Sequence, residues 1–417
     1  MWKDTQLKFT DNILMRISIA LVLTAIVSTT ADASKTQGDD EILSNVPQED
    51  RDSVRKTYFA FQKRGALISR PSGMPKPGPY YPRLMKMYQV SRFPYDYALY
   101  FSTDHDRGKG GIWLYVCDGS PTEAANWKSY DQAKADGDFD YLKTKPPANP
   151  IFIDTIQGTQ TETSHANVID GAVFMTYHNA GAGHSQSTLL ATSQDGVNFT
   201  RINGDRDSVI LDYDPKKGAG NGHTGYFRWR LNPFSSVNYR YVGYSLHRGG
   251  DNFYDAMWVS DDVVNWDKVQ VFDAIEGHAV EGNHIVGRHG VDINSITPLG
   301  SGEYVAIASI GNRSSGGRAR VLELYEIFFA SDGKTLTRES RKILPNGYSG
   351  AYDAEELGGA TSVMIGDMWH LIYVGTRGKA SVNTIMGATG TFNIAAPKST
   401  TLKLADSARD FHIEPRS

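Results

Sequence analysis

Five segments of the chain repeat one pattern, a polar or glycine turn followed by an aromatic-rich strand. They occupy residues 96–101, 171–177, 240–244, 303–308 and 368–373. With Tyr97, Val173, Tyr241, Tyr304 and Trp369 taken as equivalent, successive steps are 76, 68, 63 and 65 residues. Self-similarity of this kind marks a repeat architecture, in which each unit buries its apolar faces only by packing on its neighbours. Val168-Ile169-Asp170-Gly171 is a hairpin signal just ahead of one such strand, and Ser301-Gly302 and Gly366-Asp367 stand in the same place later. Further along, the repeats carry a second marker: Ser193-Gln194-Asp195-Gly196, Ser260-Asp261-Asp262 and Ser331-Asp332-Gly333. Each unit therefore reads as a four-stranded meander. Five of them predict an all-β fold, a five-bladed β-propeller over residues 80–417. A β-sandwich with accidental periodicity is the competing fold.

The residues before the repeats read differently. Met15-Arg16 precedes the apolar run 17–27, and small and polar residues follow, ending in Ala31-Asp32-Ala33. A positive start, a short apolar core and an A-x-A end describe a secretory signal peptide, so residues 1–33 are expected to be a signal peptide with an upstream extension. The run is short for a membrane span, and no other segment is apolar enough to be one. The mature protein is therefore expected to be secreted or periplasmic. Residues 34–79 read as linker, a short helix over 50–64, and a second linker rich in proline. The net charge of −4 gives no basic surface for nucleic acid, and the single cysteine, Cys117, excludes an intrachain disulfide and a cysteine-cluster zinc site.

In a propeller blade the innermost strand runs to a tight turn at one end of the ring axis, and the second strand returns. Residues just before the first strand and just after the second then meet at one face. Sorting the chain this way gathers Glu162, His165, His223, Tyr226, His289, Asp292 and Glu356 ahead of first strands. Asp104, His178, His184, His247 and Arg248 follow second strands. Eight of the eleven histidines fall on this face. Glu162, Asp292 and Glu356 lie 11, 12 and 13 residues before their second-strand markers, which places three carboxylates around one axial funnel.

Carboxylates across a pocket are the equipment for hydrolysing a glycosidic bond, one giving a proton to the leaving oxygen and another acting on water or on the sugar carbon. The expected catalytic set is Glu162, Asp292, Glu356, His165, His223 and Tyr226, with Glu162 preferred as general acid and Asp292 or Glu356 as base. The expected substrate-binding set is His184, Arg228, His247, Arg248, His289 and Asp104. In the tract Gly222-His223-Thr224-Gly225-Tyr226-Phe227-Arg228-Trp229, Tyr226 is placed to stack on a sugar, Arg228 to reach a carboxylate or sulfate, and Trp229 to join the core. No G-x-S-x-G elbow, P-loop or H-E-x-x-H occurs. No cofactor is required by this chemistry, and a structural divalent ion such as calcium suits Asp-rich loops.

The tract 96–102, followed by Gly111-Ile112-Trp113-Leu114, resembles the first blade of five-bladed propeller glycosidases, and 162–177 is similar to a later blade. The group meant is the one around glycoside hydrolase families 43, 32 and 117, and the likeness spans roughly residues 80–390 at the level of blade pattern. It implies a central funnel, axial carboxylates and often an axial ion. Where the group carries an acidic residue at the start of the first blade, this chain has Arg83 and Arg92, with Asp96 at the turn. The His, Tyr and Arg content also resembles propeller polysaccharide lyases. That likeness implies His165 or His184 as base, Tyr226 as acid and Arg228 or Arg248 as neutraliser of a uronate. The expected function is a secreted glycoside hydrolase acting on a plant or algal poly- or oligosaccharide, anionic ones included. The alternatives are a lyase and a non-catalytic glycan-binding propeller.

Overall fold

Residues 57–103, 110–154, 161–180, 186–202, 208–212, 224–249, 252–272, 293–300, 302–313, 320–348, 350–377 and 382–393 are described by a computed structural model. The chain divides into two units, Met1–Asn45 and Val46–Ser417, and every described residue belongs to the second. The segment read as a signal peptide lies outside the described residues.

Five antiparallel sheets follow one another along the chain. Blade one is β2 (Pro79–Lys86), β3 (Tyr97–Thr103), β4 (Trp113–Cys117) and β5 (Trp127–Ser129). Blade two is β6 (Thr161–Ile169), β7 (Ala172–Ala180), β8 (Gln186–Ser193) and β10 (Val209–Leu211), with β9 (Thr200–Arg201) also paired to β8. Blade three is β11 (Arg228–Leu231), β12 (Tyr241–Gly249), β13 (Asn252–Ser260) and β14 (Asp267–Phe272). Blade four is β15 (Asn294–Pro298), β16 (Tyr304–Arg313), β17 (Arg320–Phe329) and β18 (Leu336–Lys342). Blade five takes β19 (Glu356–Ile365), β20 (Met368–Arg377) and β21 (Val382–Phe392), and its outer strand is β1 (Phe59–Ile68). The fold is thus the expected five-bladed propeller. All five sequence markers fall on the first or second residue of a blade's second strand.

The packing follows the repeat. One apolar cluster lies between each pair of neighbouring blades. Tyr100 and Val116 meet Met175 and Leu189 between blades one and two, and Leu190 meets Trp229 and Tyr241 between two and three. Val242 meets Ile327, Phe328 meets Leu371, and Ile372 meets Leu84 and Phe101, which closes the circle. Each large apolar side chain buried this way contributes about 1.5–3 kcal/mol. The second sequence marker builds the turn after each third strand. In blade two Asp195 Oδ1 accepts from the amides of Val197 and Asn198, and in blade three Asp262 Oδ1 accepts from Val264 and Asn265. In blade four Asp332 Oδ1 accepts from Lys334 and Thr335. These turns also join blades: Tyr100 donates to the Gly196 carbonyl at 2.7 Å, and Tyr244 to the Gly333 carbonyl at 2.6 Å.

One expectation is corrected. The helix over 50–64 does not form across its second half, because β1 begins at Phe59 and pairs with β21 from Phe59↔Phe392 to Ile68↔Ile385. The propeller therefore draws its closing strand from the stretch read as linker and helix. The buried positions Phe59 and Phe61 alternate with less buried Ala60 and Gln62, which is strand periodicity. Local composition hid this, since the strand's partner lies more than 300 residues away. The closing strand is held at its start by Glu326 of blade four. Its Oε2 accepts from the amides of Tyr58 and Phe59 at 2.8 and 3.2 Å, and its Oε1 lies 2.8 Å from Arg341 Nε. Burial raises this carboxyl to about 7, against the pull of Arg341 and the two amides. Glu326→Ala, measured by chemical denaturation at a pH above that value, is expected to lose about 3–5 kcal/mol, because it strands a buried guanidinium and two amides together. A loss under 1 kcal/mol would show that the closing strand does not depend on this contact.

Candidate functional site

Four of the five inner strands are kinked at one equivalent point, and the residues leading into β11 carry the same left-handed residue. Tyr81, Thr163, Tyr226, Ser295 and Gly359 have φ of 52°, 54°, 58°, 55° and 57°. Four of them sit in a register shift of identical form, between Tyr80 and Arg83, Glu162 and His165, Asn294 and Thr297, and Gly358 and Thr361. A non-glycine residue in the left-handed region costs on the order of 1–2 kcal/mol. Strain repeated at equivalent points around a ring makes these positions the candidates for a site.

The kink sorts side chains into two roles. The residue two places after it ties neighbouring blades together. Arg83 donates to the Ala166 carbonyl at 2.7 Å and to Asn167 Oδ1 at 2.6 Å. His165 Nε2–H donates to the Trp229 carbonyl at 2.8 Å, and Arg228 donates to the Ser164 carbonyl at 3.1 Å. Thr361 Oγ1 accepts from the Leu84 amide at 3.2 Å. Burial, with Arg83 and Arg228 nearby, holds the His165 imidazole well below its ordinary range, so the ring is neutral. His165 and Arg228, expected in the catalytic and binding sets, thus serve as links between blades, and Trp229 joins the core as expected.

The residue just before the kink is polar or aromatic in blades one and two, where it is Tyr80 and Glu162. In blade two it is Glu162, fully buried, whose Oε1 lies 3.2 Å from Nδ1 of the equally buried His178. The His178 ring centroid is 5.8 Å from Tyr226, which is 5.1 Å from Tyr81, which is 4.2 Å from Tyr80. Tyr80, the pre-kink residue of blade one, donates its hydroxyl to Glu356 Oε1 at 3.0 Å. A continuous run of side chains therefore joins Glu162 of blade two to Glu356 of blade five, past Tyr226 of blade three. Of the expected catalytic set, the structure brings Glu162, Tyr226 and Glu356 into this run.

The counting that made Glu162 and Glu356 near-equivalent needs correcting. Glu162 stands one residue before its kink, and Glu356 stands three before Gly359. The first hairpins differ in length between blades, so offsets from the second strand slip. Tyr80 and Tyr81 were missed for the same reason. They end a tract that reads as a proline linker, and their link to the site is a hydroxyl bond to a residue 276 positions away. His178 was placed on the right face but left out of the expected site. Its signal is the direct pairing of Glu162 with His178 across β6 and β7. Asp292, His223, His184, His289 and Asp104 lie outside the described residues. His247 and Arg248 lie on β12, paired with Tyr254 and Phe253. Among the described residues, no group of three or more His, Cys, Asp or Glu is placed to hold a metal ion.

A second repeated group braces this rim. Tyr177 on β7 and Tyr373 on β20 occupy equal places in their blades. Tyr177 donates to Asp154 at 2.7 Å and Tyr373 to Asp353 at 2.9 Å. Each aspartate also meets a cation, Arg201 at 3.2 Å and Lys63 at 2.6 Å.

No protein-family model matches the chain, and no curated protein matches its sequence. Solved structures do match in fold. An N-acetylgalactosamine deacetylase from F. plautii, in complex with blood group B trisaccharide, is similar with a TM-score of 0.55 and 12% identity, over 81% of this chain and 96% of that one. A glycoside hydrolase family 130 protein, from work on β-1,2 mannosidic linkages in Candida mannan, gives 0.50 and 14%, over 80% and 94%. A glycosyl hydrolase from Bacteroides ovatus gives 0.50 and 13%, over 80% and 94%. The shared feature is the fold.

The linking role of His165 has a measurable consequence. His165→Ala leaves the buried Trp229 carbonyl without one of its donors, and a loss of about 1–3 kcal/mol in unfolding free energy is expected. An unchanged denaturation midpoint would remove His165 from the blade-joining set.

Proposed function

We propose that this protein is a carbohydrate-active enzyme of the glycoside hydrolase type, cleaving a glycosidic bond at the mouth of the propeller axis. The run of contacts from Glu162 through His178, Tyr226, Tyr81 and Tyr80 to Glu356 carries the reading. It supplies two carboxyl groups from different blades with an aromatic floor between them, and sugars present flat apolar faces to such a floor. Glu162 is assigned as general acid. It gives its proton to the leaving glycosidic oxygen, and the adjacent His178 steadies the carboxylate that remains. Glu356, partly exposed and held by the Tyr80 hydroxyl, acts on the other side of the sugar. It takes a proton from the attacking water or attacks the sugar carbon itself, according to the separation of the two carboxyl groups. Asp292, His223, His289, His184 and Asp104 are kept from the sequence as further candidate contacts to the sugar, with Arg248 as a candidate partner for an anionic one. The leader pattern at the N-terminus suits an enzyme that meets polysaccharide outside the cytoplasm.

A second reading, β-elimination from a uronate-containing glycan, is favoured by one observation: the His178 and Tyr226 rings are 5.8 Å apart, near enough for a base and an acid to act on one sugar. The fold also occurs in the N-acetylgalactosamine deacetylase. A screen of neutral and anionic polysaccharides should therefore read reducing ends, ultraviolet absorbance and released acetate together. New reducing ends without unsaturated product or acetate support the hydrolase.

Glu162→Gln is expected to lower turnover by at least about 100-fold while thermal unfolding stays within a few degrees of the parent. Full activity in that variant removes Glu162 as the acid. Tyr226→Phe separates the readings: a hydrolase that only stacks on the ring loses little, whereas a lyase loses its proton donor and most of its rate.

A further inference from the structure

Blade five displays two tyrosines to solvent on the loop that leads into β19. Tyr348 is 78% exposed and Tyr352 44%. A tyrosine brings a large apolar face and a polar hydroxyl to whatever it meets, so two of them exposed on one held loop are suited to binding. This loop is held rigidly. The Gly347 amide donates to the Asp353 carbonyl at 3.0 Å, and the Ala351 amide to the Tyr348 carbonyl at 2.9 Å. The Asp353 carboxylate takes the Tyr373 hydroxyl and Lys63 Nζ, so the loop is tied to the second and outermost strands of its blade.

Two glycines let it sit so close. A Cβ at Gly347 would lie 2.2 Å from Asp353 Oδ1, and one at Gly375 would lie 2.7 Å from Asp353 Cβ and 2.9 Å from the Tyr352 carbonyl oxygen. Neither can be accommodated without displacing the loop. Beside the Tyr352 ring stands Arg377, its guanidinium carbon 5.9 Å from the ring centroid. The cation steadies the ring and leaves aromatic surface open.

The loop belongs to the same end of the blade as Glu356. The Glu355 amide donates to the Thr376 carbonyl at 3.2 Å, and Glu356 follows directly, paired with Thr376. We propose that Tyr348 and Tyr352, steadied by Arg377, form an outer sugar-binding platform. On it the sugar rings of a glycan chain stack as the chain runs outward over blade five from the carboxylates at the axis. This rests on the assignment of the axial mouth to glycan chemistry, and it narrows the substrate class to chains longer than the two units that flank the cleaved bond. The ordering of the loop is complete before the ligand arrives, so stacking energy is not spent on folding it.

The test is affinity electrophoresis of the full chain through gels holding soluble polygalacturonate, arabinan, mannan or laminarin. The parent protein is compared with Tyr352→Ala and with Tyr348→Ala/Tyr352→Ala. At least one polysaccharide is expected to retard the parent, with retardation weakened several-fold in the single variant and about tenfold or more in the double variant. Both substitutions are at exposed side chains, and thermal unfolding of each variant checks that the fold survives. Retardation by none of the four, or retardation indifferent to the double substitution, overturns the platform. So does a parent dimer that the double substitution turns into a monomer, since the tyrosines would then face a second copy. Product release assayed on the same polysaccharides separates the two ideas. Turnover without dependence on the tyrosines ends the platform and keeps the axial chemistry, while tyrosine-dependent retardation without any product keeps the platform and ends the enzyme reading.

Discussion

The pairing of β1 with β21 is the contact on which the rest of this structure depends. Each blade buries its faces only against its neighbours, so a ring left open would expose two apolar surfaces at once. Closing blade five with a strand from the start of the chain joins the two ends of the fold by ladder hydrogen bonds over ten residues of β1. Glu326 then fastens the first turn of that strand to blade four, which couples the closure to a third part of the sequence. Lys63, on the same strand, reaches Asp353 beneath the rim. Closure and rim are thus connected through one strand.

Around the closed ring, five kinks at equivalent points divide labour between side chains. Two residues past the kink, Arg83, His165, Arg228 and Thr361 bind blade to blade. One residue before it, Glu162 and Tyr80 enter the run of contacts that ends at Glu356. The repeated geometry explains how one architecture holds both strain and chemistry. Apolar burial between blades offsets the cost of the kinks, and the kinks occur where the inner strands enter the rim. Glu162 and His178 there are buried yet paired with each other, which is the condition under which burial sharpens electrostatics rather than destabilising the fold.

Much of the fold was legible beforehand. Strand alternation, the Asp-Gly turn at Asp170-Gly171 and the aspartate turns at Asp195, Asp262 and Asp332 are local signals, and each recurs at its own place in a blade. The site was legible only in part. Glu162, Tyr226 and Glu356 could be found because they stand near strand starts that the repeat predicts. Tyr80 and Tyr81 could not, because a proline-rich tract hides the strand they begin. His165 and Arg228 were drawn to the site by their chemistry, whereas their burial and their bonds to carbonyls of neighbouring blades give them another task.

The sequence by itself determined the number of blades and the order of strands within each, because these follow from short-range periodicity and turn chemistry. Tertiary structure decided which strand closes the ring, which side chain at each kink faces a neighbour, and which tyrosines join Glu162 to Glu356. Those outcomes depend on contacts between residues tens to hundreds of positions apart, and no local pattern encodes the hairpin lengths that bring them into register.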